Sequence, residues 1–185
     1  MTETYRGILE RTSMEPIISV RNLKKIFTIG DNKVPALNGL DFDIYQGEFI
    51  AIVGTSGSGK STCLNMLAGL EKPSEGKIHI VGEEIEKMNE SELVTFRRNH
   101  VGFIFQSYNL IPFLDAVENV AMPLMFRGVG KEERNKAALH YLELMNIAKE
   151  ANHTPNQMSG GQQQRVGIAR ALVIDPEIIF ADEPT

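Results

Sequence analysis

The feature that most constrains the fold is a glycine-rich loop that follows an apolar run and precedes a helical stretch. Residues 49–53 (Phe-Ile-Ala-Ile-Val) are apolar without interruption, and residues 54–61 (Gly-Thr-Ser-Gly-Ser-Gly-Lys-Ser) follow them directly. A continuous apolar run of this length predicts a strand that is buried on both faces, as in a parallel sheet. A helix is predicted over residues 61–70, so the segment predicts a strand, a loop and a helix of an α/β domain.

The loop has the residue types that a phosphate chain needs. Gly54, Gly57 and Gly59 let the backbone N–H groups come close to an anion, and the start of a helix adds partial positive charge. Lys60 supplies a cation for the β- and γ-phosphates, and Ser61 supplies a hydroxyl for Mg²⁺. The alternative is a glycine-rich turn that merely caps a helix. The predicted nucleotide-binding residues, together called the phosphate loop, are Gly54, Thr55, Ser56, Gly57, Ser58, Gly59, Lys60, Ser61 and Thr62.

Two further strands are predicted to end in polar residues that suit the same chemistry. Asp182 follows an apolar strand at 177–181 and is predicted to hold Mg²⁺, while Glu183 is predicted to polarise the attacking water. Gln106 follows a strand at 101–105 and is predicted to contact Mg²⁺ or that water. The alternatives are an ordinary strand-end turn for the two acids and a solvent-facing side chain for Gln106.

The fourth motif narrows the choice among families of nucleotide-binding proteins. Residues 158–162 (Met-Ser-Gly-Gly-Gln) resemble the signature of the ATP-binding cassette ATPases, in which leucine is usual where Met158 stands. The phosphate loop, Gln106, this signature and the Asp182-Glu183 pair occur in the family's order, and the resemblance covers residues 17–185. Residues 152–157, 163–165 and 181–185 are similar to the branch that serves lipoprotein release, macrolide export and cell-division complexes.

The resemblance implies an α/β fold: a P-loop NTPase parallel-sheet core, N-terminal antiparallel β strands and an inserted α-helical subdomain. On this interpretation residues 1–185 form a single partial nucleotide-binding domain. Its ATP-binding core comprises residues 17–107 and 156–185, and its helical subdomain comprises residues 108–155. Helices are predicted at 117–126, 131–145 and 163–173, and the polar residues 1–15 are predicted to be a flexible lead.

The family pairs two such domains head to tail, with each ATP between the phosphate loop of one and the signature of the other. The resemblance therefore implies an ATP-dependent homodimer in which Ser159, Gly160, Gly161 and Gln162 complete the partner's site. Phe27 matches the aromatic residue that stacks on adenine, the alternative being a phenylalanine that only packs in its strand. The implied ligands are ATP and Mg²⁺, and the metal would be held by Ser61, Gln106 and Asp182. The catalytic roles would fall to Glu183, Gln106 and Lys60.

The expected partner is an integral membrane permease. No stretch approaches the roughly 18 apolar residues of a membrane helix, so a partner must supply the spanning helices. A docking groove is predicted from Tyr108, Leu110, Ile111, Phe113 and Leu114, with ordinary subdomain core as an equal alternative. The net charge of −5 gives no support for a nucleic-acid partner. The expected location is the cytoplasmic face of the membrane, as a peripheral subunit.

The sequence thus predicts the ATP-hydrolysing subunit of a transporter. One alternative is an ATP-dependent scaffold of a membrane complex that moves no cargo, and another is a nucleotide-binding fragment without catalysis. Family members continue past the Asp-Glu pair into a strand that carries a switch histidine and lies between the strands of the phosphate loop and of Asp182. The chain is therefore expected to be a fragment that hydrolyses ATP weakly or not at all on its own.

Cysteine and histidine residues add no metal or redox chemistry to this interpretation. Cys63 is the only cysteine and is predicted to be a small buried residue of the loop's helix. The histidines, His79, His100, His140 and His153, lack metal-ligand spacing and are predicted to serve surface or packing roles.

Overall fold

The computed structural model describes residues 15–184; most of the predicted flexible lead lies outside them. The strands are β1 (Ile18–Ile29), β2 (Asn32–Ile44), β3 (Glu75–Ile80), β4 (Glu83–Glu84), β5 (Val101–Ile104) and β6 (Ile178–Ala181). The α-helices are α1 (Lys60–Leu67), α2 (Glu90–His100), α3 (Ala116–Phe126), α4 (Lys131–Leu144) and α5 (Gly160–Leu172). Short 3₁₀ turns occur at Ile85–Lys87, Ala148–Glu150 and Pro155–Gln157. Within the described residues, no helix is both long enough and apolar enough to span a bilayer.

The chain divides into two compact units, Met1–Leu93 and Val94–Thr185. The first unit contains an antiparallel sheet with the strand order β2-β1-β3-β4. Gly30, with a φ of 59°, turns the chain between β1 and β2, and Ile18 then pairs with Ile44 at the far end of the hairpin. Alternate residues of β1 and β3 are buried, so one face of this sheet forms a core.

The prediction of a buried strand at residues 49–53 is wrong. The structure has no strand there, and Phe49 and Val53 are 97% and 91% exposed. A strand needs a neighbour that takes up its backbone N–H and C=O groups, and within residues 15–184 no strand pairs with this run. The apolar composition indicated burial in a sheet, but composition does not supply the neighbouring strands.

The second unit is built around α5. The buried cluster combines residues of α3, α4 and α5, including Val120, Leu142 and Val166, all fully buried. β5 and β6 form a parallel pair in which Ile104 lies opposite Ala181. A Cβ atom on Gly102 would lie 2.7 Å from the carbonyl oxygen of Ala171, so glycine is what allows β5 to approach the end of α5 this closely.

The helices predicted in the second half of the chain are confirmed, with small differences at their ends. The third of them begins earlier than predicted because Ser159 caps it, so the signature glycines belong to its first turn. Helix α2 was not predicted: its polar residues gave no clear apolar period, although Leu93 and Phe96 are buried. The predicted division into a core and a helical subdomain remains a prediction.

Candidate functional site

The phosphate loop forms a tight turn that leads directly into α1. Gly57 and Gly59 have φ angles of 78° and 88°, in the region that L side chains rarely adopt. Ser58 N–H donates to the carbonyl of Thr55 at 3.2 Å, and Gly59 is the N-terminal capping residue of α1. Glycine stands at the positions where the backbone turns. Because the turn leads directly into α1, the N–H groups of the loop lie near the positive N-terminal end of that helix.

Close packing also requires glycine at two positions of this loop. A Cβ atom on Gly59 would lie 2.6 Å from the carbonyl oxygen of Ala36 in β2. A Cβ atom on Gly54 would lie 2.4 Å from the Ser58 hydroxyl oxygen. The backbone oxygen of Ala36 cannot easily move away, so glycine is needed at position 59, whereas rotation of the Ser58 hydroxyl could relieve part of the crowding at position 54.

Lys60 brings a cation to the same loop. Its Nζ atom donates to the carbonyl oxygens of Gly54 and Thr55, at 3.1 and 3.0 Å. The ammonium group therefore lies against the backbone of the loop, near the N-terminal end of α1. A cation beside helix N-terminal amides is an arrangement that binds anionic groups.

Phe27 lies on β1 and is half-buried. The Nζ atom of Lys25 lies 5.2 Å from its ring centroid, a cation–π distance, and the same ammonium is 2.9 Å from Glu71. The contacts seen are with the strand's own neighbours, so the predicted role in stacking on adenine remains a prediction.

In the second unit the structure brings Gln106 and Glu183 together. The amide Nε2 of Gln106 donates to the Oε2 atom of Glu183 at 2.6 Å. Both residues follow the carboxyl ends of parallel strands, and Asp182 N–H donates to the Ile104 carbonyl at 3.0 Å. Ligands of open α/β sheets bind outside the carboxyl ends of the strands, so these side chains lie at the edge where such a site forms.

Backbone strain marks this edge as well. Tyr108, Asn109 and Glu183 have φ angles of 59°, 48° and 45°, in the left-handed region that costs a residue with a Cβ atom about 1–2 kcal/mol. Strain of this kind persists only where the surrounding contacts impose it. Residues 106–109, here called the glutamine turn, therefore need support from elsewhere in the unit.

Ser159 begins α5 through a reciprocal pair of hydrogen bonds. Gln162 N–H donates to the Ser159 hydroxyl oxygen at 3.4 Å, and Ser159 N–H donates to the Gln162 side-chain oxygen at 2.8 Å. This capping box satisfies end groups of the helix and leaves Gly160 and Gly161 in its first turn. The arrangement presents a hydroxyl and small residues at a helix N-terminus, which suits an anion.

The segment that follows Gln106 is partly core and partly surface. Leu110 packs against the buried cluster, whereas Phe113 is 80% exposed. Asn119, which is fully buried, holds the segment: its Nδ2 donates to the carbonyls of Ile111, Leu114 and Asp115, and its Oδ1 accepts from Ile111 N–H. Leu110 thus packs in the core, and docking remains a prediction for Tyr108, Ile111, Phe113 and Leu114.

Sequence reasoning missed Asn119 and Arg170. Both are polar residues buried in helices whose neighbouring residues are apolar, and each donates to backbone carbonyls of the segment after Gln106. A charged residue on the apolar face of α5 was a signal that the sequence contained for Arg170.

Cys63 is buried and burial raises the pKa of its thiol to about 11, which agrees with a packing role. His100 Nδ1 lies 2.6 Å from Glu177 Oε1, in a surface pair. No cluster of three or more His, Cys, Asp or Glu residues that suits a metal ion occurs in the described part of the chain.

Comparison with known proteins agrees with this arrangement. Residues 37–185 match the family described as ABC transporter. An ABC transporter ATP-binding protein of Thermotoga maritima is 48% identical over 172 residues, which are 93% of this chain and 74% of that protein. The macrolide export ATP-binding/permease protein MacB of Hahella chejuensis is 47% identical over 92% of this chain and 26% of its own length.

Solved structures give the same result for the fold. The dimeric post-hydrolysis structure of the ATP-binding cassette MJ0796 of Methanocaldococcus jannaschii, bound to ADP and Pi, superposes with a TM-score of 0.88. It is 46% identical and the match covers 91% of this chain and 74% of that chain. The predicted class, an α/β cassette with an antiparallel N-terminal sheet, helices and a parallel sheet, is therefore confirmed.

Proposed function

Since this chain belongs to the ABC transporter family of ATP-binding proteins, we propose that it binds and hydrolyses ATP to energise transport by a membrane permease. In this proposal ATP closes a head-to-tail dimer of the chain and hydrolysis opens it again. The protein would then act as a peripheral subunit at the cytoplasmic face of the membrane. The dimeric cassettes among its structural neighbours support the pairing of two copies.

The single observation that carries the proposal is the 2.6 Å contact between Gln106 and Glu183 at the carboxyl ends of β5 and β6. Glu183 is a carboxylate that can accept a proton from a water molecule, and Gln106 holds that carboxylate by one oxygen. A hydrogen-bonded carboxylate at the carboxyl ends of parallel strands is a group that can orient an attacking water.

Phosphate binding would be the task of the first unit. Lys60 and the N–H groups of the phosphate loop would hold the β- and γ-phosphates, and Phe27 would stack on adenine. Ser159, Gly160, Gly161 and Gln162 would contact the γ-phosphate held by the other copy. The capping box of α5 supports this role because it holds the helix start in place before any ligand arrives.

The donor set suits magnesium. Ser61, Gln106 and Asp182 offer hydroxyl, amide and carboxylate oxygens, which are the hard ligands that Mg²⁺ prefers, and Mg²⁺ takes few protein ligands beside water and phosphate. When bound, the ion would neutralise charge on the β- and γ-phosphates.

The test is ATP turnover by the protein at the full length its gene encodes, compared between the wild type and Glu183→Gln. The variant keeps the shape and the hydrogen bond to Gln106 but loses the base, so we expect turnover to fall about 100-fold or more. ATP affinity should stay within a factor of about two, since the phosphate contacts are untouched. The matched control is Glu132→Gln on the exposed surface of α4, which should leave both quantities unchanged.

Turnover by Glu183→Gln at the wild-type rate would contradict the assignment of Glu183. A wild type that neither binds nor hydrolyses ATP would contradict the proposed function itself.

A further inference from the structure

The glutamine turn is tied to the signature helix by one buried arginine. Arg170 lies on α5 and is 8% exposed. Its Nη1 atom donates to the Asn109 carbonyl and its Nη2 atom donates to the Tyr108 carbonyl, both at 2.6 Å. A guanidinium group is planar and rigid, so two parallel bonds fix the position and the orientation of the turn together.

Burial makes these two bonds necessary. Burial removes water from the guanidinium group, and this desolvation lowers the pKa of Arg170 from its usual value. A buried cation that lost its hydrogen bonds would destabilise the fold, so the guanidinium group and the two carbonyls hold each other in place.

The two carbonyls belong to the strained residues of the turn. Tyr108 and Asn109 are consecutive non-glycine residues with positive φ. Without an external contact the segment would relax toward ordinary backbone angles, because the left-handed region is unfavourable for residues with a Cβ atom, for tyrosine more than for asparagine. Arg170 supplies the contact that keeps both residues in this conformation.

A second contact joins the same turn to the start of α5. A Cβ atom on Gly160 would lie 3.1 Å from the hydroxyl oxygen of Tyr108, and one on Gly167 would lie 3.7 Å from the Tyr108 carbonyl oxygen. Residues 160, 167 and 170 share one face of a helix, since their spacings of seven and three are near whole turns. Tyr108 thus lies along this face, from the first turn of α5 to Arg170.

We infer that Arg170 is a positioning residue that makes Gln106 and the signature turn of α5 move as one body. Gln106 is two residues before Tyr108 and bonds to Glu183, and Ser159 caps the other end of the same helix. A displacement of Gln106 by nucleotide is therefore passed through the clamped turn to the residues that complete the second copy's site. The inference rests on the proposed function, because Gln106 and Ser159 take their roles from it.

The experiment compares ATP turnover in a double-mutant cycle of Arg170→Met and Gln106→Ala, in the full-length protein. Methionine keeps an unbranched apolar stem of the arginine and removes the fork. We expect Arg170→Met to lower kcat about 10- to 100-fold through displacement of Gln106, with KM changed by less than a factor of about two. In the Gln106→Ala background the same change should lower kcat by less than a factor of about two, because the residue through which Arg170 acts is already gone.

Arg165→Met is the matched control, since Arg165 is an exposed arginine on the same helix. It should leave kcat and the melting temperature near those of the wild type. If Arg170→Met does not fold, Arg170→Lys replaces it in the cycle: lysine keeps the charge and one donor but lacks the fork. We expect it to lower kcat about 3- to 10-fold, again only while Gln106 is present.

Amide hydrogen exchange tests the contact between Arg170 and the glutamine turn and does not depend on ATP turnover. Loss of the fork should speed exchange in residues 106–110 and in the first turn of α5, but not in α4. Effects of the two substitutions that multiply independently, or unchanged exchange in the glutamine turn, would overturn the inference. A wild type without ATPase activity would instead contradict the proposed function, and the exchange measurement would still decide whether Arg170 holds the turn.

Discussion

The phosphate loop and the glutamine turn both contain residues with positive φ, but they hold them by different means. In the loop these residues are Gly57 and Gly59, which have no Cβ atom. In the turn they are Tyr108 and Asn109, and Arg170 bonds to both of their carbonyls from 61 and 62 positions away in the sequence. The loop depends on its own residues, whereas the turn depends on a residue of a distant helix.

This difference has a functional meaning under the proposed function. A loop whose positive φ angles fall on glycine adopts its shape without strain and needs no distant side chain to hold it, which suits a cradle for phosphate. A strained turn held by one side chain has a second, relaxed arrangement within a few kcal/mol, which suits an element that responds to its ligand. Substitutions in the loop and in the turn test this contrast, and a substitution at Ser159 tests the start of the helix that carries Arg170.

The largest effect is expected from Gly59→Ala. A methyl group there would lie 2.6 Å from the Ala36 carbonyl oxygen at a φ of 88°, so the loop or β2 must shift. We expect the free energy of unfolding to fall by about 2–4 kcal/mol and ATP affinity to fall with it. Denaturant melting and nucleotide titration measure the two effects.

Gly57→Ala is the control for that substitution. Gly57 has a similar φ of 78°, but a Cβ atom there would meet no heavy atom within 4 Å. Only the backbone cost of about 1–2 kcal/mol should remain. Equal losses at the two positions would show that packing against β2 does not matter, and the account of the loop would be wrong.

An intermediate effect is expected from Ser159→Ala at the start of α5. Alanine removes the hydroxyl oxygen that accepts from Gln162 N–H, so the free energy of unfolding should fall by about 1 kcal/mol. Ser159→Asn restores a capping oxygen and should recover stability to within about 0.5 kcal/mol. Chemical denaturation of the three proteins makes the comparison, and an asparagine variant as unstable as the alanine variant would rule out the cap.

The smallest effect is expected from Asn109→Gly in the glutamine turn. Arg170 imposes a positive φ on this residue and glycine adopts it without steric cost, so stability should rise by about 0.5 kcal/mol, part of the gain being offset by the greater freedom of glycine in the unfolded chain. In the Arg170→Met background the turn can relax and leaves no strain for glycine to relieve, so the same substitution should give no gain in stability. Equal effects of Asn109→Gly in the two backgrounds would contradict the contrast between the two regions.

What the sequence predicted well is what local rules determine. Amphipathic spacing predicted α3 and α4, and glycine and lysine in a fixed spacing predicted a loop that leads into a helix.

The features that the sequence analysis missed depend on contacts between residues that are distant in the chain. The strand expected at residues 49–53 needed neighbours to form its ladder, and no pattern within the run reports whether they are there. Arg170 and Asn119 act on carbonyls that belong to other elements, so their partners appear only once the chain has folded. The Gln106–Glu183 contact was anticipated only as two strand-end residues, and the pairing of β5 with β6 joins them.

The exposed run at residues 49–53 also affects how the protein behaves at high concentration. Phe49, Ile50, Ile52 and Val53 are uncharged, each is aromatic or β-branched, and all four are exposed to solvent. Segments of this kind are prone to aggregation, because an extended chain from another molecule can pair with their backbone and bury their side chains. We therefore expect self-association of the protein at high concentration to begin at this stretch, where Glu48 is the charged residue that directly precedes the run.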